Sequence, residues 1–229
     1  MELNKIYNES NLDTMARMPD NFIDLTVTSP PYDNLRTYNG YCFDFENVAK
    51  ELFRVTKQGG VVVWVVSDAT INGSETGTSF KQALYFMQCG FNLHDTMIFR
   101  KKNPIPQIYR KRYNNEFEYM FVFSKGVVKT HNPLMVDCLH AGLELNGTTY
   151  KNYSKNEQTR EKMANPVKAQ KIKGNIWEYV VGTKQEDQEA KGHPAMFPEQ
   201  LANDHILSWS NENDLVYDPF MGSGTTAKM

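Results

Sequence analysis

Ser29, Pro30, Pro31 and Tyr32 bring a hydroxyl, an outward carbonyl, two positions without N–H donors and a flat ring into consecutive places. Two prolines hold the backbone extended, so the carbonyls beside them lack internal partners. Such a corner can accept two hydrogens from one amino group, at the Ser29 hydroxyl and the Pro30 carbonyl. Tyr32 can stack on the ring that carries that group. A rigid turn with a surface tyrosine explains the same residues equally well. The second unusual segment is Asp218-Pro219-Phe220-Met221-Gly222-Ser223-Gly224-Thr225-Thr226. Its glycines allow a sharp turn and close approach of backbone to ligand, and a helix start after them would offer N–H groups to an anion. A dinucleotide loop would want a third glycine where Ala227 stands, and a triphosphate loop would want G-x-x-x-x-G-K. A ligand with a carboxylate and an adenosyl portion fits the spacing, and so does a plain tight turn.

Elements that could position these segments alternate along the chain. Leu12, Met15, Ala16 and Met18 suit a short helix capped by Ser10 and closed by Pro19. Ile23 to Thr28 is β-rich and stops at the proline corner. Phe45, Val48, Ala49, Leu52 and Phe53 recur at helical spacing, with Gly59-Gly60 as the expected stop. Val61 to Val66 is apolar throughout and reads as a strand buried on both faces, in the manner of parallel sheets. Ser79-x-x-Gln82 resembles a capping box ahead of Phe80, Ala83, Leu84 and Met87, with Gly90 as the stop. Leu93 to Phe99 and Tyr119 to Phe123 read as strands. Periodicity fades from about Val127 to Val180. A helix with Phe197, Leu201, Ala202, Ile206 and Trp209 and a strand at Leu215 to Tyr217 follow. Such alternation implies an α/β sheet with helices on both faces, whose ligands sit at the carboxyl ends of strands. Both unusual segments lie at such ends.

Composition narrows the class. The 229 residues carry 25 Lys+Arg against 27 Asp+Glu, a net charge of -2. Arg100 to Arg112 holds six basic residues and no acid, which leaves the remainder at -8. A concentrated basic segment can hold a polyanion at a defined place, although an isolated run of charge is more often a solvated loop. No apolar stretch approaches the roughly 18 residues of a membrane span. Cys42, Cys89 and Cys138 are scattered, which fits a reducing compartment and argues against a disulfide framework or a metal site. With no visible secretory signal, the expectation is a soluble cytoplasmic protein without a metal.

Taken together, Thr28-Ser29-Pro30-Pro31-Tyr32, His193-Pro194-Ala195-Met196-Phe197-Pro198-Glu199 and Asp218 to Thr226 resemble the DNA amino-methyltransferases. That family methylates cytosine N4 or adenine N6 with S-adenosylmethionine. Gly59-Gly60, Arg112-Tyr113 ahead of Glu118-Tyr119, and Gly174-Asn175-Ile176-Trp177-Glu178 match further signatures of the family. The base-holding segment precedes the cofactor segment, as in the permuted β group.

The resemblance implies an α/β fold: a Rossmann-like, doubly wound methyltransferase sheet, circularly permuted, with a less regular target-recognition insertion and a C-terminal end that looks truncated. It divides the chain into a catalytic half at 1–126, the insertion at 127–180 and a cofactor-binding half at 181–229. Ser29, Pro30, Pro31 and Tyr32 would hold the base. Asp218, Pro219, Phe220, Gly222, Ser223, Gly224 and Thr225 would form the cofactor loop, flanked by His193 and Pro194. Arg100, Lys101, Lys102, Arg110, Lys111 and Arg112 would line the DNA cleft. Double-stranded DNA is the implied partner, a homodimer and a cognate restriction nuclease are compatible with the family, and no membrane is involved. Ser29 leans the target toward cytosine N4, with adenine N6 as the alternative. Because only Ala227-Lys228-Met229 follow the glycine loop, where the family carries a ribose-binding acid, an inactive DNA-binding relative is a further alternative. Methylation of RNA or a protein amide, and NAD chemistry, are weaker rivals.

Overall fold

A computed structural model describes residues 1–31, 43–106, 111–142, 148–154, 157–162, 167–182 and 198–229. In chain order the elements are α1 (Asn11–Ala16), β1 (Ile23–Thr28), α2 (Phe45–Val55), β2 (Thr56–Val66), β3 (Thr70–Ile71), β4 (Ser74–Glu75), α3 (Thr78–Gln88), β5 (Asn92–Lys101), β6 (Phe117–Ser124), β7 (Met135–Asp137), β8 (Thr148–Ser154), β9 (Glu157–Lys162), β10 (Gln170–Ile172), β11 (Ile176–Tyr179), α4 (Glu199–Trp209), β12 (Val216–Tyr217) and α5 (Thr225–Lys228).

The chain divides into two compact units, residues 1–132 with 175–229, and residues 133–174. The larger unit is built on a six-stranded sheet of order β11-β5-β6-β2-β1-β12. β1 pairs parallel with β2 and β12, and β11 pairs parallel with β5. β6 runs antiparallel to both β2 and β5. The fold is therefore mixed α/β: β2, buried as its sequence demands, has one parallel and one antiparallel neighbour. Five strands point one way, so the proline corner after β1, the basic segment after β5 and the glycine loop after β12 share one edge of the sheet. In the smaller unit β7 pairs with β10 and β8 with β9, both antiparallel. Residues 127–132 and 175–180, read from sequence within the irregular insertion, fold with the large sheet, the latter mostly as β11.

Alternation in β2 and β6 assigns the two faces. Val62, Trp64, Val66, Phe121 and Phe123 pack with Met15, Val48, Leu52, Ala83 and Phe86 of α1, α2 and α3. On the other face α4 turns His205 toward the Met120 sulfur, 3.2 Å away, and sets its ring tilted against Trp177 with centroids 4.7 Å apart. The Tyr179 hydroxyl on β11 donates to Asp204 of α4 at 2.7 Å. Burial pushes the Tyr179 phenol well above its usual range, and the Asp204 bond adds to that, so the hydroxyl stays a donor.

Two expected helix ends differ, one stop and one start. α2 ends at Val55, four residues before the glycine pair, because other groups satisfy its last carbonyls. Thr56 takes the Leu52 carbonyl through its hydroxyl at 2.6 Å, and the Lys125 ammonium takes Phe53 at 2.7 Å. The Asn21 and Phe22 amides take Arg54 and Val55 at 3.0 and 2.7 Å. Gly59 and Gly60 lie inside β2 instead. Gly59 has φ +80°, and a Cβ there would sit 2.8 Å from that of Lys129, whose amide bonds the Gly59 carbonyl. The glycine thus admits a crossing segment rather than ending a helix. The capping box is also replaced. Asp68 accepts from the Ser79 amide at 2.9 Å and from its hydroxyl, while Gln82 accepts the buried Trp64 indole N–H at 2.8 Å.

Candidate active site

β1 and β12 lie side by side in register, Leu25 opposite Val216 and Thr26 opposite Tyr217. Each strand then leaves the sheet into one of the unusual segments. Pro30 is buried, while Ser29 and Pro31 are half-buried. Across from them Asp218 begins the glycine loop, almost wholly enclosed at 7% exposure. Two segments about 190 residues apart in sequence therefore emerge together, joined by that carboxylate.

Asp218 takes three hydrogen bonds. The Thr28 hydroxyl donates to Oδ1 at 2.6 Å, the Thr226 hydroxyl to Oδ2 at 2.7 Å, and the Phe220 amide to Oδ1 at 2.9 Å. Burial raises its pKa above the usual carboxylate range, and the three donors pull the other way. The acid supports the loop from beneath. Asn11, at the start of α1, donates from Nδ2 to the Pro219 carbonyl at 3.3 Å. Phe220 packs edge-on against Phe43, 5.2 Å between centroids, and near Trp64 at 6.2 Å.

Above this base the loop turns through two glycines. Gly222 and Gly224 have φ of 54° and 89°, and a Cβ on Gly224 would meet nothing within 4 Å. The Gly224 amide bonds the Met221 carbonyl at 2.8 Å. Among the described residues, the amides of Met221, Gly222 and Ser223 donate to nothing. The Ser223 and Thr225 hydroxyls lie 3.4 Å apart. Lys228 of α5 bonds Glu199 of α4 at 2.8 Å, which ties the short helix to the sheet-covering one.

The basic segment reaches the same edge, but several of its charges are engaged. Arg100 pairs with Glu178 at 2.9 Å and Glu116 at 3.8 Å, and Lys101 pairs with Glu118 at 2.8 Å. Arg112 reaches Glu75 at 3.4 Å and also bonds the Gly73 carbonyl. Lys102 and Lys111 are exposed and form no ion pair among the described residues. Tyr32, Arg110, His193 and Pro194 lie outside the described residues. Sequence reading quoted Thr28 and Thr226 within the motifs without giving them work, and it missed Phe43. A threonine ending a strand is common, and only the parallel pairing with β12 shows what it faces.

Residues 23–229 match the family described as DNA methylase, N6_N4_Mtase. The orphan methyltransferase M.BamHII of Bacillus amyloliquefaciens is 56% identical over 211 residues, covering 90% of this chain and 79% of its own. The structure titled PvuII DNA methyltransferase (cytosine-N4-specific) superposes with a TM-score of 0.69 at 19% identity, over 96% of this chain and 75% of that one. The structure titled as a complex of M1.HpyAVI with SAM has a TM-score of 0.57 at 21% identity, over 98% and 86%. The chain belongs to the N6/N4 family of DNA methylases.

Proposed function

We propose that this DNA methylase transfers a methyl group from S-adenosylmethionine to the N4 amino group of a cytosine flipped out of duplex DNA. The observation that carries the reading is the junction at Asp218, which bonds Thr28, just before the Ser29-Pro30-Pro31 segment, and Thr226, at the end of the glycine loop. The loop suits this cofactor: three consecutive amides without acceptors among the described residues can receive its carboxylate, and a Cβ-sized space at Gly224 suits a close ligand. The cofactor supplies an electrophilic methyl group on a sulfonium. His193 and Pro194 would flank its methionine portion.

The target nitrogen is a poor nucleophile, because its lone pair is delocalised into the ring, and it lies inside the duplex. Tyr32 would stack on the extruded base, replacing about 1–3 kcal/mol of lost stacking. The Ser29 hydroxyl and Pro30 carbonyl would accept the two amino hydrogens, which aims the lone pair along the transfer axis. Positioning then provides most of the acceleration, and the proton is lost readily once the nitrogen becomes cationic. Ser29 in place of an acid or amide favours cytosine N4 over adenine N6.

The order along the chain, corner first and glycine loop last on neighbouring parallel strands, supports a permuted sheet. The unit at 133–174 carries seven Lys+Arg against four acids and supports a target-recognition role for the 127–180 region. A cognate nuclease and a homodimer belong to the same reading, although the orphan status in the name of M.BamHII weighs against the nuclease. The test is incubation with duplex DNA and methyl-labelled S-adenosylmethionine, followed by nucleoside analysis. N4-methylcytosine is expected. N6-methyladenine would move the target to the alternative, and absence of both product and cofactor binding would favour an inactive relative.

A further inference from the structure

We infer that Thr28 and Thr226 are positioning residues: with Asp218 they form a buried clasp that sets the spacing between the Ser29-Pro30-Pro31 corner and the glycine loop. The inference rests on the methyl-transfer reading above and extends it to residues that touch neither substrate. The backbone pairing between β1 and β12 ends at Thr26 and Tyr217. Beyond that point the two chains diverge into the segments whose separation decides whether a methyl group can pass. Side chains take over where the ladder stops. Thr28, fully enclosed, bonds one carboxylate oxygen, and Thr226, 5% exposed, bonds the other. Thr226 also lies 3.4 Å from the Val27 carbonyl, so α5 is fastened to β1 directly as well as through the acid.

Both carboxylate oxygens are thereby occupied, and Asp218 acts through the frame rather than on a ligand. The Thr28 hydroxyl, one residue before Ser29, is engaged by Asp218. A change at Thr28 therefore alters where Ser29 sits without removing any group from the site. A displacement of about 1 Å between reacting groups can cost about 10²-fold in rate. Valine matches threonine in shape but cannot donate, and serine restores the donor.

The experiment compares wild type, Thr28→Val, Thr28→Ser and Thr226→Val. It reads kcat for methylation of duplex DNA, titration of S-adenosylhomocysteine, and DNA binding. Thr28→Val is expected to lower kcat at least tenfold while both binding constants stay within threefold, and Thr28→Ser to recover kcat to within threefold of wild type. Thr226→Val, which opens the clasp from the loop side, should lower kcat comparably and stands in if Thr28→Val does not fold. Unchanged kcat in the valine variants, or a loss that serine does not recover, would overturn the clasp. If the wild type itself methylates no DNA, the underlying reading fails before any variant is compared.

Discussion

At the scale of single residues, Ser29 and Asp218, which follow the neighbouring strands β1 and β12, show how differently two polar groups are used. Under the proposed mechanism Ser29→Ala would remove one acceptor for the amino hydrogens, while the bond of Thr28 to Asp218 stays in place. It is expected to lower kcat by about 10²-fold with little change in DNA affinity, a loss of orientation rather than of binding. Steady-state methylation and a DNA-binding titration check this, and equal turnover would remove Ser29 from the mechanism. Asp218 carries a stability consequence instead. Its folded-state pKa is raised, so the folded protein holds that proton to higher pH than the unfolded chain. Folding then loses stability as pH rises from the ordinary carboxylate value through the raised one. Asp218→Asn lacks that titration. Relative to wild type, its melting temperature should gain with increasing pH over this window, whatever constant offset the changed hydrogen bonds add. A difference that stays flat with pH would show that burial is fully compensated by the three donors.

At the scale of elements, helix ends are closed by residues distant in sequence. Lys125 donates to the Phe53 carbonyl, to the Arg54 carbonyl at 3.4 Å and to the Asn21 side chain at 3.0 Å, with its ammonium 4.6 Å from the Phe53 ring centroid. Burial lowers its pKa. Lys125→Met should destabilise the protein by about 1–3 kcal/mol, since buried acceptors lose their donor. Chemical denaturation measures this, and a neutral result would mean that water replaces the ammonium. Arg54 performs the same service for α1, bonding the carbonyls of Met15 and Met18 at 2.7 and 2.8 Å. Apart from Thr56, these caps are not local, which is why the glycine pattern alone puts the end of α2 at Gly59-Gly60. The periodic face of α2 was legible because its pattern is internal to the helix. On α4 the buried face includes Asp204, His205 and Ser208 as well as Leu201 and Trp209. Apolar spacing finds only half of it.

At the scale of the whole molecule, the expected DNA edge is less charged than its sequence suggests. Arg100, Lys101 and Arg112 are neutralised by acids from β4, β6, β11 and the approach to β6. Lys102 and Lys111 are exposed and, among the described residues, are the cations of this segment that form no ion pair with an acid. Lys102→Gln with Lys111→Gln should weaken binding to all duplexes alike and reduce the slope of log K against log salt by about 0.9 per residue. Arg100→Gln should change that slope less. Equal effects from Arg100 and Lys102 would show that the ion pairs open on DNA.

The sequence by itself determined the alternation of strands and helices, the proline corner and the sharp glycine turn, because these follow from neighbouring residues and from side-chain type. It also carried the family resemblance in contiguous motifs. Tertiary structure alone decided that Thr28 meets Asp218, that Arg100 meets Glu178, and that Lys125 closes α2. Those contacts depend on strand order and register between segments far apart in the chain, and no local preference encodes which strand lies next to which.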